Sequence, residues 1–209
     1  KKRGLLNIGV SIIFKILLLI GSIFVRRFLI QYIGNDANGL SSLYVSIIGF
    51  LTVAELGVGE AITFCMYKPI VEGDKEKVAA LYMLFKKLYL LVGIIIFFVG
   101  LIVMFFLPKL AKDYSTLNVN VYLTFFLTLV SVVLTYAYSA KTSLLNAYKN
   151  NYIATTITSC GILLEDILKV GVIIVTRSFS AYLVCRIIAV LIQWMVTNVV
   201  TNQKYSDIM

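Results

Sequence analysis

The sequence predicts an all-α protein, a polytopic membrane helical bundle of about six transmembrane helices. Three observations predict it. Hydrophobic residues make up 60% of the chain and charged residues 14%, with a mean hydropathy of +0.95; an ordinary soluble domain carries about 25% charge. The apolar residues come in runs too long for a soluble core, and residues 88–107 contain no charged side chain at all. About 20 helical residues rising about 1.5 Å each cover about 30 Å of hydrocarbon, so that run alone spans a bilayer. The runs are also continuously apolar, whereas the strands of a membrane barrel alternate over about ten residues. Within lipid, a helix satisfies its own backbone polar groups.

In chain order the spans are predicted at residues 8–33, 40–66, 80–107, 121–146, 152–176 and 180–200. The first follows Lys1-Lys2-Arg3, a charged front like that of a signal peptide, but it is too long for one and has no small-residue cleavage site. A turn cluster, Gly34-Asn35-Asp36-Ala37-Asn38-Gly39, separates it from the second. Pro69 and Pro108 are expected in connections, because proline extends a helix interior at high cost. Residues 67–87 form the longest connection, with Glu72-Gly73-Asp74-Lys75-Glu76-Lys77 as its loop. Beyond it Val78, Leu81, Leu84 and Phe85 share one helical face. They form either a short amphipathic element at the interface or the basic end of the third span. Tyr148-Lys149-Asn150-Asn151 and Arg177-Ser178-Phe179 make the last two connections.

Basic residues set the expected orientation. With the first residue inside, the inner side holds Lys1, Lys2, Arg3, Lys68, Lys75, Lys77, Lys86, Lys87, Lys141, Lys149 and Lys204, and the outer side Arg26, Arg27, Lys109, Lys112 and Arg177. Eleven against five places both termini in the cytoplasm. The same distribution accounts for the net charge of +9 without nucleic acid, since no basic stripe with interleaved aromatics is present.

The chain has no histidine, which removes the usual general base and a common zinc ligand. Cys65, Cys160 and Cys185 are isolated in apolar segments and read as small buried hydrophobes. No phosphate-cradling glycine loop occurs, so no catalytic residue, metal site or cofactor is expected.

The informative residues are charges inside spans, each costing about 2.5–3.5 kcal/mol at a helix centre on insertion scales. Span 1 carries Lys15, about 10 Å deep, and Arg26 and Arg27 nearer its outer end. Adjacent helical residues lie about 100° apart, so the two arginines point different ways. Arginine suits phosphate through its paired donors. Glu55, near the middle of span 2 in Ala54-Glu55-Leu56-Gly57-Val58-Gly59-Glu60, is free to pair with a span-1 cation, hold a proton or coordinate Na⁺. Glu60 lies around the helix from it. In span 5, Lys169 is i+4 to Glu165 and i+3 to Asp166, so one helix neutralises part of its own charge. The surplus carboxylate needs a partner, and Arg186 of span 6 is available. Glu60, Glu165, Asp166, Lys169 and Arg186 are therefore candidates for ion or proton coupling or for ion pairing. Nine charges within spans point to a polar cavity.

Residues 34–89 resemble the polysaccharide/oligosaccharide flippases of bacterial surface-polymer export, within the multidrug/oligosaccharidyl-lipid/polysaccharide exporter superfamily. The resemblance rests on Tyr32-Ile33-Gly34 with Asn38-Gly39-Leu40, on Ala54-Glu55-Leu56-Gly57-Val58-Gly59, and on Tyr67-Lys68-Pro69-Ile70 followed by Lys86-Lys87-Leu88-Tyr89. It implies that residues 1–209 are the N-terminal lobe of a two-lobe transporter, its C-terminal lobe outside this chain, working by alternating access. It also implies a substrate, an undecaprenyl-diphosphate-linked oligosaccharide moved across the bacterial cytoplasmic membrane. Lys15, Arg26 and Arg27 sit where related lipid-linked precursor flippases place cations for the diphosphate, and with Glu55 they form the implied substrate site. Span 1 lacks the acidic residue of many ion-coupled multidrug members, and Glu60 departs from the family pattern. An ion-coupled exporter of the same fold, favoured by an apolar, aromatic cavity, is one alternative. A non-transporting membrane scaffold, favoured by satisfied charges with no cavity, is the other. Expected partners are the lipid-linked substrate, membrane lipids and a second lobe or second copy.

Overall fold

The computed structural model describes residues 2–52, 58–110 and 119–206. Among these residues every regular element is helical: α1 (Lys2–Tyr32), α2 (Asn35–Thr52), α3 (Val58–Glu72), α4 (Lys75–Met104), α5 (Leu107–Leu110), α6 (Val121–Ala147), α7 (Asn151–Thr176) and α8 (Phe179–Lys204). Three are long and apolar enough to cross a membrane: α4 with α5 (Lys75–Leu110), α6 (Val121–Ala147) and α8 (Phe179–Lys204). α7 is as long as α8 but carries Glu165, Asp166 and Lys169.

Local chemistry sets the helix ends. The Asn120 carboxamide oxygen accepts hydrogen bonds from the Tyr122 and Leu123 N–H groups, both at 3.1 Å, and caps α6. Asp74 accepts from the Lys77 N–H at 2.9 Å and caps α4. The turn before it uses Gly73 at φ +74°, a conformation that costs glycine nothing. Arg177 closes α7 in the left-handed region, its N–H donating to the Ile173 carbonyl at 3.0 Å.

Two expectations about the connections are corrected. Pro69 lies inside α3, in its last turn, where only one backbone hydrogen bond is forfeited. The connection at 67–87 shrinks to Gly73-Asp74, since α4 begins at Lys75. There is no separate amphipathic element. At about 1.5 Å per residue, the 30-residue α4 is about 45 Å long, longer than the about 30 Å of a bilayer's hydrocarbon.

α1 packs on α7, α7 on α8, α8 on α6 and α6 on α4; α3 lies against α6 and α4, and α2 touches α1, α4 and α6. Small residues allow the closest approaches: a Cβ at Gly93 of α4 would lie 3.2 Å from the Tyr136 Cβ, and one at Gly21 of α1 would lie 2.6 Å from the Asp166 Oδ2. Side-chain contacts sort the helix ends into two groups. At one end, Arg177 lies over the Tyr32 ring at 5.9 Å, and Tyr44 shares a 2.7 Å hydrogen bond with Thr124. At the other, Lys141 donates to the Asn202 Oδ1 at 2.6 Å, and the Asn150 Nδ2 donates to the Tyr205 hydroxyl at 2.6 Å. α1 therefore runs parallel to α7, and the start of α1 and the end of α8 lie at the Lys141–Asn202 end.

The surface inverts the soluble pattern. Ile12, Ile16, Leu19, Ile20 and Ile23 of α1, and Leu90, Leu91, Ile94, Ile95, Phe98 and Ile102 of α4, are all exposed. Polar groups lie inside. On α6, Thr124, Thr128, Ser131, Thr135 and Thr142 recur at helical spacing on one inward face, and each hydroxyl donates to a carbonyl one turn back. The cysteine expectation holds for one of three: Cys185 is buried, whereas Cys65 and Cys160 are exposed, as small residues on lipid-type surfaces can be.

Candidate functional site

The polar face of α6 borders a chain of four adjoining cavities. The largest, about 740 Å³, lies among α2, α3, α4, α6 and the start of α7, lined by Thr52, Glu60, Tyr67, Tyr89, Ser143, Asn146 and Asn151. Asn146 and Asn151 also line a second cavity of about 370 Å³, which holds Ser11, Lys15 and Thr142. Thr158 and Ile162 are shared between the second and a third of about 300 Å³, where Thr135, Glu165, Asp166, Lys169 and Arg186 meet. Lys169 and Arg186 are shared with a fourth of about 400 Å³, at the Tyr44 end.

The charges at the third cavity are organised around one carboxylate. Glu165 is 4% exposed. Its Oε1 lies 2.6 Å from the Lys169 Nζ and 3.8 Å from the Arg186 Nη1. Lys169 also sits over the Tyr182 ring, 4.5 Å from its centroid. The Arg186 Nε donates to the Ser131 Oγ at 3.1 Å. The Tyr138 hydroxyl donates to the Gln193 Oε1 at 2.8 Å, which completes the polar wall between α6 and α8. A buried charge pair holds only with such additional partners, because desolvation otherwise outweighs the Coulomb attraction. Chemically, Lys169 and Arg186 present positive charge to two cavities while Glu165 keeps them in place.

The i, i+4 spacing of Glu165 and Lys169 was legible in the sequence, and the pair forms. Arg186 does pair with a carboxylate of α7, the one that Lys169 also holds. It reaches Glu165 and Ser131, not the surplus carboxylate, because α8 packs on the Glu165 side of α7. Asp166 turns toward Gly21 of α1, and its Oδ2 is buried with no hydrogen-bond partner.

The other expected residues scatter. Lys15 is exposed and lines the second cavity. Arg26 and Arg27 are exposed and line none of the four. Glu60 lines the largest cavity, in the first turn of α3, where a carboxylate suits the helix N-terminus. Glu55 lies outside the described residues. Among the described residues, no three His, Cys, Asp or Glu side chains stand close enough to hold a metal ion together.

Thr135, Thr142 and Asn146 were legible on a different signal: hydroxyl and amide residues recurring every three or four positions in the otherwise apolar run of α6, with Ser131 and Ser139, mark one polar helix face. Asn151, which begins α7, carries no such signal.

No protein-family model, no curated protein and no solved structure matches this chain.

Proposed function

We propose that this chain is one six-helix lobe of a flippase. It carries an undecaprenyl-diphosphate-linked oligosaccharide from the inner to the outer leaflet of the bacterial cytoplasmic membrane, with both termini cytoplasmic and no covalent chemistry. The observation that carries the reading is the chain of cavities, with hydroxyl, amide and charged groups in their walls, inside a bundle with an apolar exterior, with two cations shared by adjoining cavities. A membrane protein whose helices needed only to pack would have no use for such a path, since each buried polar group adds cost. A second lobe, or a second copy, completes the enclosure around the substrate and rocks against this one. A diphosphate needs charge-assisted donors, and Lys15, Lys169 and Arg186 supply them at cavity walls. Arg26 and Arg27 drop out of that role and serve as interfacial anchors. The cations in the cavity walls weigh against the multidrug alternative, and the cavities weigh against the scaffold.

The test is reconstitution of the two-lobe protein in proteoliposomes with a fluorescent undecaprenyl-diphosphate sugar and a quencher that reaches only the outer leaflet. Protein-dependent redistribution is expected. If the lipid redistributes no faster than in empty vesicles, the flippase reading fails.

A further inference from the structure

We propose that the largest cavity, at the Lys141–Asn202 end of the bundle, binds a neutral sugar, with Asn146 as the residue that selects it. The transported oligosaccharide would be the source of that sugar, so the ligand's origin rests on the transport reading above.

Asn146 carries the inference. Its Oδ1 is buried and has no hydrogen-bond partner, although Asn146 stands on the wall shared by two cavities. A buried acceptor without a donor is costly and calls for one. With a turn of its carboxamide into either cavity, that oxygen accepts from a ligand hydroxyl. The surroundings fit a sugar better than an anion. Thr63, Tyr89 and Ser143 bring hydroxyls to the larger cavity, and the Tyr89 and Ser143 hydroxyls lie 3.1 Å apart. Two accessible rings, Phe64 and Tyr67, line the same space, with centroids 6.3 Å apart and planes at 79°. An aromatic face against the C–H groups of a pyranose, with hydroxyls and amides around its edge, supplies both apolar contact and directional hydrogen bonds. A volume of about 740 Å³ lies within the range of small-molecule sites.

Charge decides between sugar classes. Among the described residues, Glu60 is the one carboxylate lining this cavity, and no lysine or arginine among them lines it. A carboxylate accepts from vicinal hydroxyls and repels a uronate or a phosphate. The anionic part of a lipid-linked substrate therefore belongs elsewhere, at Lys15 or at Lys169 and Arg186, and the neutral part here.

The test is saturation-transfer NMR on the protein in lipid nanodiscs, titrated with glucose, N-acetylglucosamine and glucuronate. Transfer is expected to at least one of the neutral sugars, with glucuronate much weaker, and Glu60→Gln should narrow that difference. Asn146→Ala should weaken the neutral-sugar affinity by about tenfold, the loss of one well-placed hydrogen bond. Its unliganded thermal midpoint should hold or rise by about 2–4 °C, since alanine removes a buried unsatisfied acceptor and favours helix. Asn146→Leu provides a second variant without the acceptor. No transfer to either neutral sugar, or unchanged affinity in both variants, would overturn the inference. So would a clear fall in the midpoint of both, which would make Asn146 a packing residue. Sugar binding without flipping leaves the site standing and removes the transport reading; flipping without Asn146-dependent binding does the reverse.

Discussion

On α1, Lys15, Arg26 and Arg27 project from the helix surface and are exposed, and none forms an ion pair among the described residues. On α7 and α8, Lys169 and Arg186 converge on a single buried carboxylate, with a hydroxyl and an aromatic ring as further partners. Both groups were read from the sequence as charges within apolar runs. The difference lies in reach and neighbours. Arg26 and Arg27, in the last two turns of α1, can carry their charge to the interface and need no partner, whereas Lys15, at mid-helix, opens onto the second cavity. A charge held between helices has no such exit and must be matched on the spot. Position within a span thus says less about a charge than which helix packs over it.

The largest effect is expected from breaking the buried group at its centre. Glu165→Gln removes the carboxylate shared by Lys169 and Arg186, leaving two like charges close together. It should destabilise the protein by about 3–5 kcal/mol, read as a lower thermal midpoint in detergent. Adding Lys169→Gln should restore part of the loss, a non-additivity expected of partners in contact. If Glu165→Gln is as stable as the parent, the cluster is not a matched set.

Next is Lys15, the α1 cation that lines a cavity. Under the flippase reading, Lys15→Ala removes a charge-assisted contact of about 1.5–3 kcal/mol and should slow flipping by about tenfold or more at matched protein levels. Its midpoint should barely move. Stability lost without a change in flipping would place Lys15 with the buried group instead.

A smaller effect is expected at Gly161, where a new Cβ would overlap the Gln193 side chain on α8. Gly161→Ala should displace Gln193 from Tyr138 and cost about 1 kcal/mol, partly offset by better helix propensity. A higher midpoint would show that the α7–α8 contact tolerates spreading.

The smallest effects are expected at Arg26 and Arg27. Alanine at either should change stability by less than about 0.5 kcal/mol and leave flipping intact. A tenfold loss of flipping at one of them would return that arginine to the substrate path and narrow the contrast between α1 and α7.

Much of this architecture was legible because membrane helices announce themselves by length and apolarity. α6, α7 and α8 begin within a residue of the predicted boundaries, at Val121, Asn151 and Phe179, whereas the span expected at 40–66 falls on two helices, α2 and α3. The Glu165–Lys169 pair was legible because it belongs to one helix, whose period is known in advance. The start of α4 was less legible, because Lys75, Glu76 and Lys77 follow a Gly-Asp turn and read as loop; they instead form the first turn of the helix, which Asp74 caps. The polar face of α6 was passed over because hydroxyls bonded to their own backbone barely disturb an apolar run.

From the sequence alone follow the helical class, the apolar exterior, the approximate helix ends and the presence of charges that lipid would not accept. All of these depend on residues near one another in the chain, through hydropathy, helical period and capping. Only the tertiary structure decided that Arg186 meets Glu165 and not Asp166, and that Asp166 faces Gly21 of α1. It also brought Asn146 of α6 and Asn151 of α7 to one wall between two cavities, and left Arg26 and Arg27 outside all four. Those outcomes depend on which faces of separate helices meet, which is set by small residues and side-chain packing across tens of residues, and no local pattern encodes it.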